Sequence, residues 1–429
     1  MNVSILDYGA VPGGEHLNTA AIQAAVDAVA EAGGGRVSVP AGVFLSGSIF
    51  LQDHVELHLE AGSILKASAC LDDYNAPDAY PENWGSDKEE WTGKHLIIAH
   101  HKTGVSVTGL GTIDGAGEAF FEEPHRCKSF NYTWGYGIAK AKNKETLRAG
   151  QLMVFVECTD VFLSDFSVFE SPCWTVFLYG CERVRVRGLH IRNTNTHANT
   201  DGIDIDTCRF VTVSDCIITT GDDAITVRAS CSHLLSGKRV CEHVSISNCV
   251  ISTSAVAVRV GVGVGEVHNV NISGLTVARA GTVVEFITSY KKRGGVSMSD
   301  ILVENIVADQ VSFPLRFFQE NGAYIRNIRI RNIRAKAMCS SHLVADDAGM
   351  ISDISIRDMK VDFIDTLYVL DERAPDEKGW YAIWGKGAED VELDHLEFVI
   401  PEALSSQWKG LCQMENCKNL KITDCNFEA

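Results

Sequence analysis

The chain has 429 residues, 45% of them apolar, enough to bury a substantial core. Its 38 basic residues against 56 acidic ones leave a net charge of −18, which argues against a nucleic-acid partner and disfavours a polyanionic one. No run of eighteen apolar residues predicts a membrane span, and none of the 14 cysteines forms a Cys-x-x-Cys pair, so they read as small buried hydrophobes in a reducing cytoplasm.

In chain order, Met1 leads straight into a strand-like run, Val3-Ser4-Ile5-Leu6, with no basic start or apolar segment of a secretory signal. A cytoplasmic location is therefore the expectation. One helix follows over 18–33. Asn18 or Thr19 caps it, Ile22, Val26 and Val29 form its apolar stripe, and Gly33-Gly34-Gly35 ends it. Such a helix suits the exposed N-terminal end of a stack of repeats.

A repeat then dominates: β-branched, x, apolar, x, a polar or glycine position, then apolar, x, apolar. Copies start at Val105, Val161, Val184, Val211, Val244, Val270, Val296, Ile328, Ile354, Val391 and Leu420. A period near 26 residues means a solenoid. The units alternate like strands, no helix-length segment separates them, and the leucine-rich consensus is absent. The expected fold class is all-β, a single parallel β-helix over 1–429. Residues 72–94, 120–150 and 362–390 interrupt the repeat. They carry Trp84, Trp91, Tyr132, Trp134, Tyr136, Trp380, Tyr381 and Trp384. They read as long loops over one face; their aromatics either shape a groove or pack the loops down, and both readings stay open.

The chemistry concentrates in Asn199-Thr200-Asp201-Gly202 and Gly221-Asp222-Asp223. Aligned by strand alternation, Asp201-Gly202-Ile203 lies one coil from Asp223-Ala224-Ile225. Acids crowded in this way cannot all ionise freely, and a raised pKa is what a general acid needs. Paired carboxylates in contrasting surroundings are the usual means of cleaving a glycosidic bond. The bland alternative is an acidic ladder that caps turns or binds calcium.

Taken together, these motifs resemble family 28 glycoside hydrolases, the polygalacturonase family. Asp7-Tyr8-Gly9-Ala10, Thr19-Ala20-Ala21-Ile22, Val39-Pro40-Ala41-Gly42, Leu57-His58-Leu59-Glu60 and Ser171-Pro172-Cys173-Trp174-Thr175 add to the likeness. The resemblance implies a right-handed β-helix and hydrolysis with inversion. It implies Asp222 as the acid, Asp201 and Asp223 as the groups that hold and activate water, and Asn199 lining the site. It implies no metal or organic cofactor.

The chain also departs from that pattern. Ala255-Val256-Ala257 stands where polygalacturonases carry Gly-His-Gly, and Glu285-Phe286-Ile287 where they carry Arg-Ile-Lys. Rhamnogalacturonan hydrolases of the family also lack the histidine. The lost cations point to a neutral sugar or an altered uronic acid in one subsite. Outward positions Asp204, Thr226, Arg259 and Glu285 form a column in which Arg259 can neutralise Glu285. This is either an exposed ion pair of little energetic weight or part of a rebuilt subsite. Tyr290, Lys291, Lys292 and Arg293 can return positive charge from a loop or form a solvated turn. His197 can offer an imidazole or serve as a turn residue. The expected function is exo-type hydrolysis of short pectin-derived or related oligosaccharides. A β-helix transglycosylase (fructotransferase-like), a polysaccharide lyase and an inactive carbohydrate-binding solenoid are the alternatives. No membrane partner is expected, and side-by-side homo-oligomers are open to such a fold.

Overall fold

The computed structural model describes residues 1–122, 147–289, 294–364 and 381–428. Tyr132, Trp134, Tyr136, Trp380 and the run Tyr290 to Arg293 lie outside the described residues. The described residues form two compact units, one of those up to Gly221 with His233–Lys238, the other of Asp222–Ser232 and those from Arg239 onward.

The first unit holds three columns of parallel strands. One runs Asn2–Ser4, Gly35–Val39, Val55–Leu59, Ser106–Gly109, Thr159–Ser164, Glu182–Arg187 and Arg209–Ser214. A second runs Gly42–Ser46, Ser63–Ala67, Thr112–Asp114, Ser167–Phe169, His190–Arg192 and Ile217–Thr220. The third runs Ile49–Phe50, Ile97–His100, Met153–Val156, Val176–Tyr179 and Ile203–Asp206. Each strand bonds to the strand one coil away, which is the pattern of a parallel β-helix. The second unit repeats it. There, strands such as Glu266–Ile287 and Ser297–Gln319 run through the coil corners and stay paired along most of their length.

Alternation produces this stacking. Val161, Val184 and Val211 lie in register in the first unit, and all three are buried. In the second unit the register runs Val244, Val270, Ile301, Ile328, Ile354, Val391 and Leu420. Each fully buried side chain of this kind contributes about 1.5–3 kcal/mol. Ile301, not the expected Val296, holds the repeat position. Val296 closes a loop, its N–H donating to the Thr288 carbonyl at 2.8 Å, and the strand starts only at Ser297. Val55 begins a further coil ahead of the one at Val105, since Glu56 pairs with Ser106.

The corners are built from asparagine and aspartate in the left-handed region, including Asp300, Asn305, Asn327, Asn332 and Asp390. These residues tolerate that conformation better than other side chains with a Cβ. They also stack on one another: Asn332 donates to Asn305 at 2.7 Å and Asn419 to Asp390 at 2.8 Å.

The helix spans Thr19–Glu31 and buries Ile22, Ala25, Val26 and Val29. Asn18 precedes it but makes no side-chain cap. Its amide ties the incoming loop instead, accepting from the Val11 N–H at 2.6 Å and donating to the His16 carbonyl at 2.8 Å. Gly33 and Gly34, both at positive φ, stop the helix, and the Gly34 N–H bonds the Val29 carbonyl. Within 362–390, expected as a loop, the structure has the strand Tyr381–Lys386, which contains Trp384. Among the described residues no helix is long and apolar enough to cross a membrane. The 13 described cysteines are all free, and eight of them are buried. Cys158, Cys181 and Cys208 donate their thiols to the carbonyls of Ala99, Phe155 and Leu178.

Candidate active site

In the first unit, the turn before the Ile203–Asp206 strand presents Asn199, Thr200 and Asp201. Asn199 is left-handed, at φ 52°. Thr200 is fully buried; its hydroxyl donates to the His197 carbonyl at 2.8 Å and accepts from the Gly221 N–H at 3.2 Å. Gly221 has no alternative there, because a Cβ would meet the His197 carbonyl oxygen at 2.2 Å. Asp201 is buried, and its carbonyl accepts from the Thr175 N–H.

Arg148 holds this turn from below. It is 2% exposed. Its guanidinium donates to the carbonyls of Pro172 (2.6 Å), Ala198 (2.8 Å) and Glu89 (2.9 Å) and to the Asn199 side-chain oxygen at 2.8 Å. A planar fork with donors on both sides suits four acceptors fixed in this way.

In the second unit, Asp222 and Asp223 stand in different surroundings. Asp222 is half-buried, and its Oδ1 accepts from the Asp223 N–H at 3.0 Å. Asp223 is buried. Its Oδ1 accepts from the Val256 N–H at 3.1 Å and from Arg259 Nη2 at 2.9 Å, while Arg259 Nε pairs with Oδ2. Burial pushes the Asp223 carboxyl up to about 6; the Arg259 charge opposes this, and the Asp222 and Glu285 charges add to it. Burial alone would lower Arg259, but Asp223 and Glu285 outweigh it and hold the guanidinium above its ordinary value.

Thr226, Arg259, Glu285, Arg316, His342, Trp384 and Gln413 lie in register, one per coil. Arg259 Nη1 meets Glu285 Oε2 at 2.9 Å, and Arg316 Nη1 lies 3.6 Å from Glu285 Oε1. The Arg316 guanidinium also sits over the rings of Phe313 and Phe318, at 4.6 and 4.5 Å. Charge therefore alternates along the column from Asp223 to Arg316. The side chains of Arg259 and Glu285 are only 11% and 6% exposed. That overturns the reading of an exposed ion pair; inside the protein, loss of one partner is costly. Arg316 escaped the sequence reading, although it occupies the Glu285 register position one coil later.

His197 is buried and stacks on Phe121, with ring centroids 4.1 Å apart. Its Nδ1 lies 3.8 Å from Glu170, whose carboxyl burial raises. It is a packed turn residue. Tyr290 and Lys291 fall outside the described residues. Of the loop aromatics, Trp91 is fully buried. Trp84 meets it at 4.5 Å and stacks on His233 at 4.8 Å, while Trp174 lies 5.2 Å from Phe177. Phe177 and Tyr179 occupy the outward positions of the Val176–Tyr179 strand, yet they are 2% and 1% exposed. The face of that coil is covered, and the 72–94 segment with Trp84 contributes to the cover.

The model of the glycosyl hydrolases family 28 matches residues 33–362. A probable polygalacturonase from Vitis vinifera is 30% identical over 234 residues, 53% of this chain and 44% of its own length. An exo-poly-alpha-D-galacturonosidase from Dickeya chrysanthemi is 28% identical over 53% of this chain and 42% of its own. The chain thus spans less than half the length of these two relatives. Among solved structures, a family 28 exopolygalacturonase from Yersinia enterocolitica superposes with a TM-score of 0.70 at 18% identity, covering 98% of this chain and 78% of its own. An exopolygalacturonase from Thermotoga maritima superposes with a TM-score of 0.62 at 19% identity, covering 93% and 91%. The likeness to these structures is one of fold, the parallel β-helix. With the matched segment covering most of its length and both acidic motifs inside it, the chain belongs to glycosyl hydrolases family 28, a family of glycosidases.

Proposed function

We propose that the protein is an inverting, exo-acting glycoside hydrolase for short pectin-derived or related oligosaccharides. The observation that carries this reading is the contrast within Asp222-Asp223: a buried carboxylate gripped by Arg259 beside a more accessible neighbour. The Arg259 guanidinium keeps Asp223 available as a carboxylate base, and the more accessible Asp222 is left for the acid's role that the family resemblance gives it. Asp222 protonates the leaving oxygen. Asp223 activates the water, with Glu285 lining its surroundings through Arg259. Asp201 and Asn199 keep the roles that the family resemblance gives them.

Two features support the finer parts of the proposal. The covered coil face at Phe177 and Tyr179 suits a groove closed at one end, as exo attack requires. Arg259 is committed to Asp223 and Glu285. It therefore makes a poor receptor for a substrate carboxylate, which favours a neutral or altered sugar beside it. The buried free thiols suit a reducing, cytoplasmic setting, where imported oligosaccharides are the substrates.

The test is incubation with oligogalacturonates, rhamnogalacturonan oligosaccharides and neutral glycosides, with products identified by mass and the anomer by NMR. An inverted monosaccharide end product that disappears in Asp222→Asn, with a loss of 10²-fold or more, is the expected result. Internal cleavage of long polymer would overturn the exo assignment. An unsaturated product would mark a lyase, and longer transfer products a transglycosylase.

A further inference from the structure

The first unit contains a second cluster of ionisable side chains, with no part in the proposed hydrolysis. Glu82, from the 72–94 segment, meets His100 and His101, which end one strand of the third column. His100 Nε2 lies 2.8 Å from Glu82 Oε2, and His101 Nε2 lies 3.1 Å from Glu82 Oε1. Glu157 follows Val156, the residue paired with His100 one coil on, and its Oε2 lies 3.5 Å from the same His101 Nε2.

We propose that Glu82, His100, His101 and Glu157 form a binding site for a divalent transition-metal ion, zinc in the first instance. Four observations carry this. The donor set is two imidazoles and two carboxylates, a combination that suits zinc and its neighbours. The three donor separations of 2.8, 3.1 and 3.5 Å bracket the edge of roughly 3.3 Å that a tetrahedron of ligands at about 2.0–2.1 Å requires. Both carboxylates are buried, with side-chain exposures of 0% for Glu82 and 4% for Glu157. Finally, among the described residues Glu157 Oε1 makes no hydrogen bond, and the only cation near it is Lys238, whose Nζ stands 3.6 Å away.

Without a metal, the two imidazoles satisfy Glu82 as hydrogen-bond donors. That leaves Glu157 a buried carboxylate with one loose ion pair, an expensive arrangement. A divalent ion would neutralise both acids at once. The route in is through His101, whose side chain is 49% exposed. Such an ion would clasp the 72–94 segment to two successive coils and so help fix the cover over Phe177. Lys238 is the opposing charge; it also donates to the Gly180 carbonyl at 2.7 Å, so its stem is anchored independently. The proposal rests on the first unit's geometry and not on the catalytic reading.

The experiment uses tag-free, full-length protein stripped with EDTA and titrated with Co²⁺ by visible absorption, then with Zn²⁺ by calorimetry. One equivalent should saturate, with d–d bands that zinc bleaches. His101→Gln, a substitution at a half-exposed position, should weaken binding at least about tenfold while leaving the circular dichroism unchanged. Lys238→Met should tighten it. Absence of saturable binding at one equivalent, or His101→Gln binding like the wild type, would overturn the assignment. Either result leaves the hydrolase proposal standing, since none of these side chains touches Asp201, Asp222 or Asp223.

Discussion

Replacing Arg259 with methionine tests the electrostatic core of the proposed site. The change keeps most of the buried alkyl volume and removes the guanidinium from Asp223 and Glu285. Breaking a buried pair by deleting one partner costs about 3–5 kcal/mol. Glu285 keeps Arg316, 3.6 Å away, so most of the loss falls on Asp223, which retains only the Val256 N–H among the donors described above. If about 3 kcal/mol of it appears as destabilised carboxylate, the Asp223 pKa rises by roughly two units from about 6, to about 8. The ionised fraction at pH 7 then drops from about nine-tenths to about one-tenth, and kcat/KM should fall roughly tenfold through this effect alone. The assay is the pH profile of kcat/KM for wild type and Arg259→Met on whichever oligosaccharide is turned over. The acid limb should shift alkaline by one to two units, with activity partly recovered at pH 8–9. An unmoved acid limb, or a uniform loss at every pH, would refute the argument that Arg259 keeps Asp223 ionised.

Two further outcomes follow from buried groups. Arg148→Met strips four acceptors of their donor and should lower stability by about 3–5 kcal/mol; Arg148→Lys should recover part of the stability but less of the activity, because one ammonium cannot span Asn199 and the three carbonyls. Melting temperatures and kcat for the pair check this, and a Lys variant equal to wild type would remove the case for the fork. Burial lowers His95 to about 4 and, with Arg316 adding to it, His342 to about 3. Each therefore binds a proton more readily unfolded than folded, so stability should fall by several kcal/mol as the pH drops from 6.5 towards 4. Asp223, with its raised pKa, works in the opposite direction between about 6 and 4 and offsets part of the loss. Urea unfolding at pH 7 and pH 4.5 measures the balance, and equal midpoints would contradict it.

The coils were legible because inward β-branched positions carry a strong two-residue alternation that recurs at each turn. Legibility failed where loops reset the count. The Gly294-Gly295 stretch leads into Val296, which satisfies the local pattern, while the coil itself starts its repeat at Ile301. The column of Thr226, Arg259 and Glu285 could be read from alternation alone, and the structure pairs these residues in that order. What alternation could not supply was depth. The same ion pair reads as exposed or buried until the neighbouring chain is in place, and its energetic weight depends on which it is. Arg148 and the Glu82, His100, His101 and Glu157 cluster were invisible for another reason. Their partners lie in separate segments, and no spacing rule links a loop to the strand ends it folds onto.

The asparagine and aspartate corners carry one last implication. Because each corner residue adopts its left-handed turn locally and stacks on its counterpart in the next coil, the bend is specified afresh at each level and not by the molecule as a whole. A coil is thus close to an interchangeable part. Duplicating or deleting one would shift everything beyond it along the stack by about one strand spacing of 4.7–4.9 Å, while each surviving corner kept its own geometry. Lineages built on such corners can lengthen a binding face by copying DNA in units of a coil, and then edit the outward column residue by residue.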